Sequence, residues 1–271
     1  MTSLYVLGSG SAGNAFAVSA MDQVLLVDAG FSAREIGRRA LQVGLDLSRV
    51  TGLVLTHEHG DHTAGAARLA ETLGVPILTA PGTWDRLRPR MPSVQFLPLA
   101  IMGGVQHGAF HIEACPISHD AAEPVAISIR SARGHRIGIA YDLGRPTTAV
   151  RFLLRESHAL VLEANHDEVR LRTSGYPPVV QQRIAGSGGH LSNRAAAELL
   201  TELVHPALTT VVLAHLSARC NSAEEARAEV WPALVAAEFV GTLHIALQDQ
   251  PSGPFALAPA SSPHQGATGL G

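Results

Sequence analysis

The sequence predicts an α+β fold in which two mixed β-sheets pack face to face with helices outside. Three observations predict it. Short apolar runs come first and then alternate with helix-periodic segments, and both halves of the chain share this style. The 271 residues suffice for one large core. Hydrophobic residues make up 46% and aromatics only 4%, so that core must rest on Val, Leu, Ile and Ala.

The elements follow in order. Residues 4–7, 15–18 and 24–27 are short apolar runs bounded by turn residues, hence strands. The spacing of Ile36, Ala40 and Val43 predicts a helix over 31–43. Residues 53–55 form a buried strand. Residues 64–73 form a helix closed by Gly74 as a C-cap signal, and 75–79 are strand-like again. In the second half, strands are expected at 110–114, 125–130, 136–140, 159–162, 210–214 and 243–247, and helices at 194–204 and 224–237. One domain is expected over residues 1–250. The tail, 251–271, is rich in Pro, Ser, Gly and Ala and is expected to be extended and disordered.

Charge and composition exclude several function classes. The formal net charge is −3, so no global basic field draws the chain onto nucleic acid. All 20 Lys+Arg positions are Arg, which rules out a Schiff-base or P-loop lysine. Cys115 and Cys220 cannot make a disulfide framework, which points to a reducing compartment. The first residues lack a basic region and a small-residue cleavage site, and no apolar run is long enough to span a bilayer. A cytoplasmic location is expected.

The strongest chemical signal is Thr56-His57-Glu58-His59-Gly60-Asp61-His62, delivered by the apolar run Leu53-Val54-Leu55. Alternation puts His57 and His59 on one side of an extended segment, and Gly60 lets the chain turn to aim Asp61 and His62 elsewhere. Imidazoles and carboxylates suit zinc, iron or manganese. Other apolar runs end in similar groups: His119 after Cys115-Pro116-Ile117-Ser118, Asp142 after Ile137–Tyr141, and His215 after Val211–Ala214. Singly, each would more often be structural. Together with the His57 loop, the order His-x-His-x-Asp-His, His, Asp, His is highly specific.

This pattern resembles the metallo-β-lactamase superfamily, over nearly the whole chain to about residue 250. The resemblance implies an αββα sandwich holding two divalent metal ions, zinc or manganese. It implies that His57, His59 and His119 bind the first, that Asp61, His62 and His215 bind the second, and that Asp142 bridges both. Asp28, in Leu25-Leu26-Val27-Asp28-Ala29-Gly30, matches an aspartate that orients the histidine loop. Further motifs are similar to the YycJ/WalJ branch: Gly8-Ser9-Gly10-Ser11-Ala12-Gly13-Asn14, His119-Asp120-Ala121 with Glu123-Pro124, Glu163-Ala164-Asn165-His166-Asp167, Gly189-His190-Leu191-Ser192-Asn193 and His215-Leu216-Ser217. Two departures stand out. Cys220-Asn221 occupies the place of paired asparagines, and Ala164 that of a serine.

The branch implies a metal-dependent phosphodiesterase acting on DNA, 5′–3′ exonuclease-like, through a metal-activated hydroxide. Asp61 is the candidate for orienting the attacking water, and His190 and His166 are candidates for protonating the leaving group. Ser9, Ser11 and Asn14 offer donors near the metals, or serve the turn. Arg170 and Arg172 are candidate phosphate contacts, and Arg86, Arg88 and Arg90 form another small basic run; a solvated face is the commoner explanation for such runs. The alternative within hydrolysis is a small-molecule enzyme: a cyclic phosphodiesterase, lactonase or thioesterase. Gly8, Gly10 and Gly13 also spell G-x-G-x-x-G with Asp28 downstream, a dinucleotide fingerprint. Residues 14–22 are too short for the helix that fingerprint needs, and it leaves the histidines unexplained.

Overall fold

The computed structural model describes residues 1–257. The first sheet contains β1 (Thr2–Gly8), β2 (Ala15–Ala20), β3 (Gln23–Val27), β4 (Val50–Val54), β5 (Ile77–Thr79) and β6 (Phe96–Pro98), and β14 (Ser252–Leu257) lies on its edge. Its order is β14-β1-β2-β3-β4-β5-β6. The second contains β7 (Gly104–His107), β8 (Phe110–Pro116), β9 (Val125–Ser131), β10 (Arg136–Ala140), β11 (Ala159–Glu163), β12 (Thr210–Ala214) and β13 (Thr242–Ile245). Its order is β13-β12-β11-β10-β9-β8-β7.

Both sheets follow one plan. Antiparallel pairing runs from β14 through β3 and from β7 through β10, and parallel pairing continues to β6 and to β13. Parallel neighbours need crossovers, and helices supply them. In the first sheet these are α1 (Ala33–Gln42), the short α2 (Gly60–Thr63) with α3 (Ala66–Leu73), and α4 (Pro81–Leu87). In the second they are α5 (Thr148–Leu154), then α6 (Glu168–Thr173), α7 (Pro178–Ala185) and α8 (Asn193–Leu203), and finally α9 (Ala223–Ala236). No helix among the described residues is long and apolar enough to cross a membrane.

The core is layered accordingly. Leu4, Val6, Phe16 and Val18 of the first sheet meet Ile112, Ile127, Ile139 and Val161 of the second in one cluster between the sheets. Ile36, Ala40 and Leu69 of α1 and α3 cover the outer face of the first sheet. Val150, Leu200 and Val230 of α5, α8 and α9 cover that of the second. Strands β11 and β12 are buried on both faces, which explains their unbroken apolar sequence.

Local signals agree with these ends. The Ser32 hydroxyl caps α1 by accepting from Glu35 N, and Gly74 closes α3 in the left-handed conformation at φ 66°. Two differences from expectation concern weakly patterned segments. Helices α4 to α7 and strands β6 and β7 are short, with few residues to establish a period. Residues 252–257, placed in the tail by composition, instead pair with β1 as an edge strand, where Pro254 is tolerated because an edge position needs no donor there. The rest of the expected tail, 258–271, lies outside the described residues.

Phe16 is buried between the sheets and stacks on Tyr141 at 5.6 Å between ring centroids. Phe16→Ala is expected to cost about 3–5 kcal/mol in a urea unfolding curve. An unchanged midpoint would contradict this packing.

Candidate metal centre

The candidate ligands come from the C-terminal ends of strands in both sheets. Strand β4 leads through Leu55 and Thr56 into His57 and His59, and α2 then carries Asp61 and His62. His119 follows β8, Asp142 follows β10, and His215 follows β12 directly. The carboxyl ends of the parallel strands β4, β10 and β12 thus converge with that of the antiparallel β8 where the two sheets meet.

The seven groups are brought within ligand distance of one another. Donor atoms of His57, His59 and His119 lie within 4.8 Å of each other, as do those of Asp61, His62 and His215, and those of His57, His62 and Asp142. His119 Nε2 is 3.3 Å from His59 Nδ1, and His215 Nε2 is 3.4 Å from both Asp61 Oδ2 and Asp142 Oδ1. His62 Nε2 stands 2.8 Å from Asp142 Oδ2. His57 Nε2 is buried without a hydrogen-bond partner, and Asp142 Oδ2, 3.9 Å away, has no aligned one. Such orphaned atoms are costly unless something else binds them. A divalent cation satisfies both, so these residues fit the metal chemistry expected of them.

Two buried carboxylates aim the histidines. Asp28 accepts from Thr56 N at 2.8 Å, Thr56 Oγ1 at 2.8 Å, Tyr141 Oη at 2.6 Å and His62 Nδ1 at 2.7 Å. This leaves His62 Nε2 for the centre. Glu163 does the same from the other sheet. Its Oε2 accepts from Leu143 N and Leu191 N, and its Oε1 from His215 Nδ1 at 3.1 Å and His190 Nδ1 at 2.8 Å. Glu163 also lies within reach of a group with Asp142, His190 and His215. With both oxygens engaged by donors, it acts as an orienting group and not as a ligand. In the sequence Glu163 carries the signal that marks Asp28 and Asp142, a carboxylate ending an apolar run, here 159–162.

The opening loop supports the centre from below. Ser9 Oγ donates to Asn14 Oδ1 at 2.7 Å and accepts from His215 N at 2.8 Å. Asn14 N donates to Asp61 O at 2.8 Å. Gly30 lies against the same carbonyl. A Cβ there would stand 1.8 Å from Asp61 O, so only glycine fits. Three of the aimed groups, Asp28, Asp142 and His215, have φ of 57°, 56° and 56°. Non-glycine residues in this left-handed region carry strain of roughly 1–3 kcal/mol each and cluster at functional sites.

A cleft of about 320 Å³ opens over the centre, bordered by Ser11, His59, Asp61, Arg183, His190 and His215 among others. Arg183 of α7 pairs with Asp120 across its mouth. His190 stands at the cleft with its ring fixed by Glu163. His166 does not. It is buried, its Nδ1 has no partner, and it faces a different cavity. The arginine candidates also separate. Arg170 is tied to Glu225 of α9, whereas Arg172 makes no hydrogen bond or ion pair among the described residues. Arg86, Arg88 and Arg90 are exposed and border neither cavity.

The carboxylates of the cluster favour protonated histidines. Burial works against a charged His215, but Asp142, Asp61 and Glu163 outweigh it and raise its pKa to about 10. His62, opposed by burial in the same way, is raised well above the ordinary range by Asp142 and Asp28. Both shifts favour the doubly protonated ring, whereas metal binding needs Nε2 free of its proton. Metal uptake is expected to release protons and to weaken as pH falls, measured by calorimetry in buffers of different ionisation enthalpy. A buffer-independent heat would contradict this. Asp28→Ala is expected to lower metal affinity about 10–100-fold with the fold retained, read by competition with a chelator. Unchanged affinity would remove the orienting role.

A family model described as the β-lactamase superfamily domain matches residues 23–216. The chain is 32% identical over 228 residues to exodeoxyribonuclease YycJ of Bacillus anthracis, covering 83% of this chain and 86% of that one. It is 28% identical over 224 residues to exodeoxyribonuclease WalJ of Streptococcus pneumoniae, covering 81% and 83%. Among solved structures, the metallo-β-lactamase fold protein YhfI of Bacillus subtilis superposes with a TM-score of 0.70 at 18% identity, covering 93% and 98%. Human tRNase Z, short form, does so with a TM-score of 0.65 at 17% identity, covering 94% and 99%. The family match runs from β3 to just beyond His215 and takes in Asp28 and every residue of the cluster: the chain belongs to the β-lactamase superfamily and has the metallo-β-lactamase fold.

Proposed function

We propose that the protein is a hydrolase that uses two divalent ions, zinc or manganese, to cut phosphodiester bonds of DNA from a 5′ end. In this reading His57, His59 and His119 hold one ion, Asp61, His62 and His215 hold the other, and Asp142 is shared. The imidazole and carboxylate donor set suits either metal. The likeness to YycJ and WalJ, which are named exodeoxyribonucleases, supports DNA as the substrate and is consistent with a cytoplasmic location.

The observation that carries the reading is His190, an imidazole fixed by a buried carboxylate at the edge of the cleft. A sugar alkoxide is a poor leaving group and departs readily only when protonated. When bound, a divalent pair supplies hydroxide at neutral pH and offsets charge on the phosphate. Asp61 Oδ2 faces His62 and His215, which leaves Oδ1 to orient the attacking water. His190 Nδ1 is engaged with Glu163, so its transferable proton sits on Nε2. Burial opposes the charged form of His190, but the Glu163 carboxylate outweighs it and raises the pKa. The donor is thus protonated below that raised pKa, and activity is lost as pH rises through it.

The test is cleavage of 5′-phosphorylated single- and double-stranded DNA with manganese or zinc. Wild type is expected to cleave, and Asp61→Ala, checked for folding by circular dichroism, to lose activity. His190→Gln is expected to retain metal, to slow cleavage by about 10²–10⁴-fold and to lose the alkaline fall in rate. No cleavage with either metal, alongside turnover of a cyclic phosphodiester, lactone or thioester, would assign the protein to small-molecule hydrolysis.

A further inference from the structure

His190 borders two cavities. Beyond it, away from the metal cluster, lies a second chamber of about 430 Å³ between α6, α7 and the start of α8. Its volume falls within the range of about 300–1,000 Å³ typical of small-ligand sites. Its lining is of mixed chemistry. Arg172 and Arg194 supply guanidinium groups, Gln181 and Gln182 supply amides, and Leu171 and Ala185 supply apolar surface.

The two arginines differ in a useful way. Arg194 is held in place by Glu168, through Nε at 3.0 Å and Nη2 at 2.9 Å, and the same carboxylate oxygen accepts from Ser192 Oγ at 3.1 Å. Arg172, one helical turn after Glu168, has no such tie. Arg194 also stands 3.7 Å from Glu198 through Nη1, so Arg172 is the guanidinium of the lining without an ion pair among the described residues, and guanidinium groups match phosphate geometry. Gln181 uses its Nε2 on Tyr176 O at 2.8 Å, whereas the Gln182 amide makes no hydrogen bond among the described residues. His166, buried and with Nδ1 unpartnered, lies on the chamber wall.

We propose that this chamber is a nucleotide subsite. It holds the terminal deoxynucleotide on the leaving-group side of the scissile bond, with that nucleotide's own phosphate on Arg172 and Arg194 and its base against Leu171 and the glutamine amides. The placement rests on the phosphodiesterase reading above. A scissile phosphate in the metal cleft puts its leaving sugar oxygen at His190, and the nucleotide attached to that oxygen extends past His190 into the chamber. Water adds to phosphorus, the bond to the leaving oxygen breaks, and the His190 Nε2 proton passes to that oxygen. The chamber's volume of about 430 Å³ suits one nucleotide, so the product is a mononucleotide.

The test is calorimetric titration of deoxycytidine 5′-monophosphate onto the metal-loaded protein, with hydrogen exchange of residues 168–195 followed in parallel. Wild type is expected to bind it and to gain protection in α6 and α7. Arg172→Gln and Arg194→Gln are each expected to weaken binding at least tenfold, and deoxycytidine and inorganic phosphate to bind more weakly than the nucleotide. Wild type that binds the nucleotide without protection of α6 and α7, or variants that bind as wild type does, would overturn the proposal. Inorganic phosphate as effective as the nucleotide would mark a bare anion site and overturn it too. Because the exchange measurement uses wild type, misfolding of a variant does not remove the test. If Arg172-dependent binding is seen but DNA is not cut, the subsite stands and the nuclease reading falls. If DNA is cut and the nucleotide neither binds nor protects, the reverse holds.

Discussion

Four donors converge on the carboxylate of Asp28, and the centre depends on that convergence. A buried charge survives only when its oxygens are satisfied. Asp28 meets this need with a backbone N–H and a hydroxyl from Thr56, a histidine from α2 and a tyrosine from the opposite sheet. One residue thus ties the end of β3 to the loop after β4 and to the end of β10. It also selects which nitrogen of His62 points inward. Glu163 repeats the arrangement from β11, where it aims His215 and His190. Each sheet contributes one orienting carboxylate at a strand end, and the candidate ligands lie between the two.

This division follows from the shared plan of the sheets. In each, an antiparallel half gives way to a parallel half, and the parallel strands β4, β10 and β12, joined by β8 of the antiparallel half, deliver their C-terminal ends to the same edge. Helical crossovers occupy the outer faces, so the polar groups at those ends can turn only toward the seam between the sheets. The chemistry therefore sits where the hydrophobic core stops. The orienting carboxylates are buried there among hydrogen bonds, while the cleft itself remains open.

How much of this was legible in the sequence varied with the kind of signal. The His57–His62 segment was readable because three histidines and two carboxylates within six residues have no cheaper explanation. His119, Asp142 and His215 were readable because each follows an apolar run. Glu163 carries the same mark, yet it sits in a motif beside His166, the more evident reactive group. The sequence could not separate His166 from His190, since both are loop histidines beside Asn or Gly. Only the fold brings Glu163 against one ring and leaves the other facing a separate chamber. Likewise, Arg170 and Arg172 look equivalent until α9 packs beside α6 and takes up one of them. Strand β14 was hidden because Gly and Pro obscure its alternation, and its pairing with β1 depends on residues some 250 positions apart.

The left-handed backbone at Asp28, Asp142 and His215 has a consequence for engineering and descent alike. At these positions folding and function pull in opposite directions, since glycine or asparagine would relax the chain while removing a carboxylate or an imidazole from the seam. A search for hardier variants that scores survival on heating alone would tend to collect such replacements and drift toward a sturdier, inert scaffold. The three strained residues are thus places where the chemistry of the site outweighs the preference of the backbone.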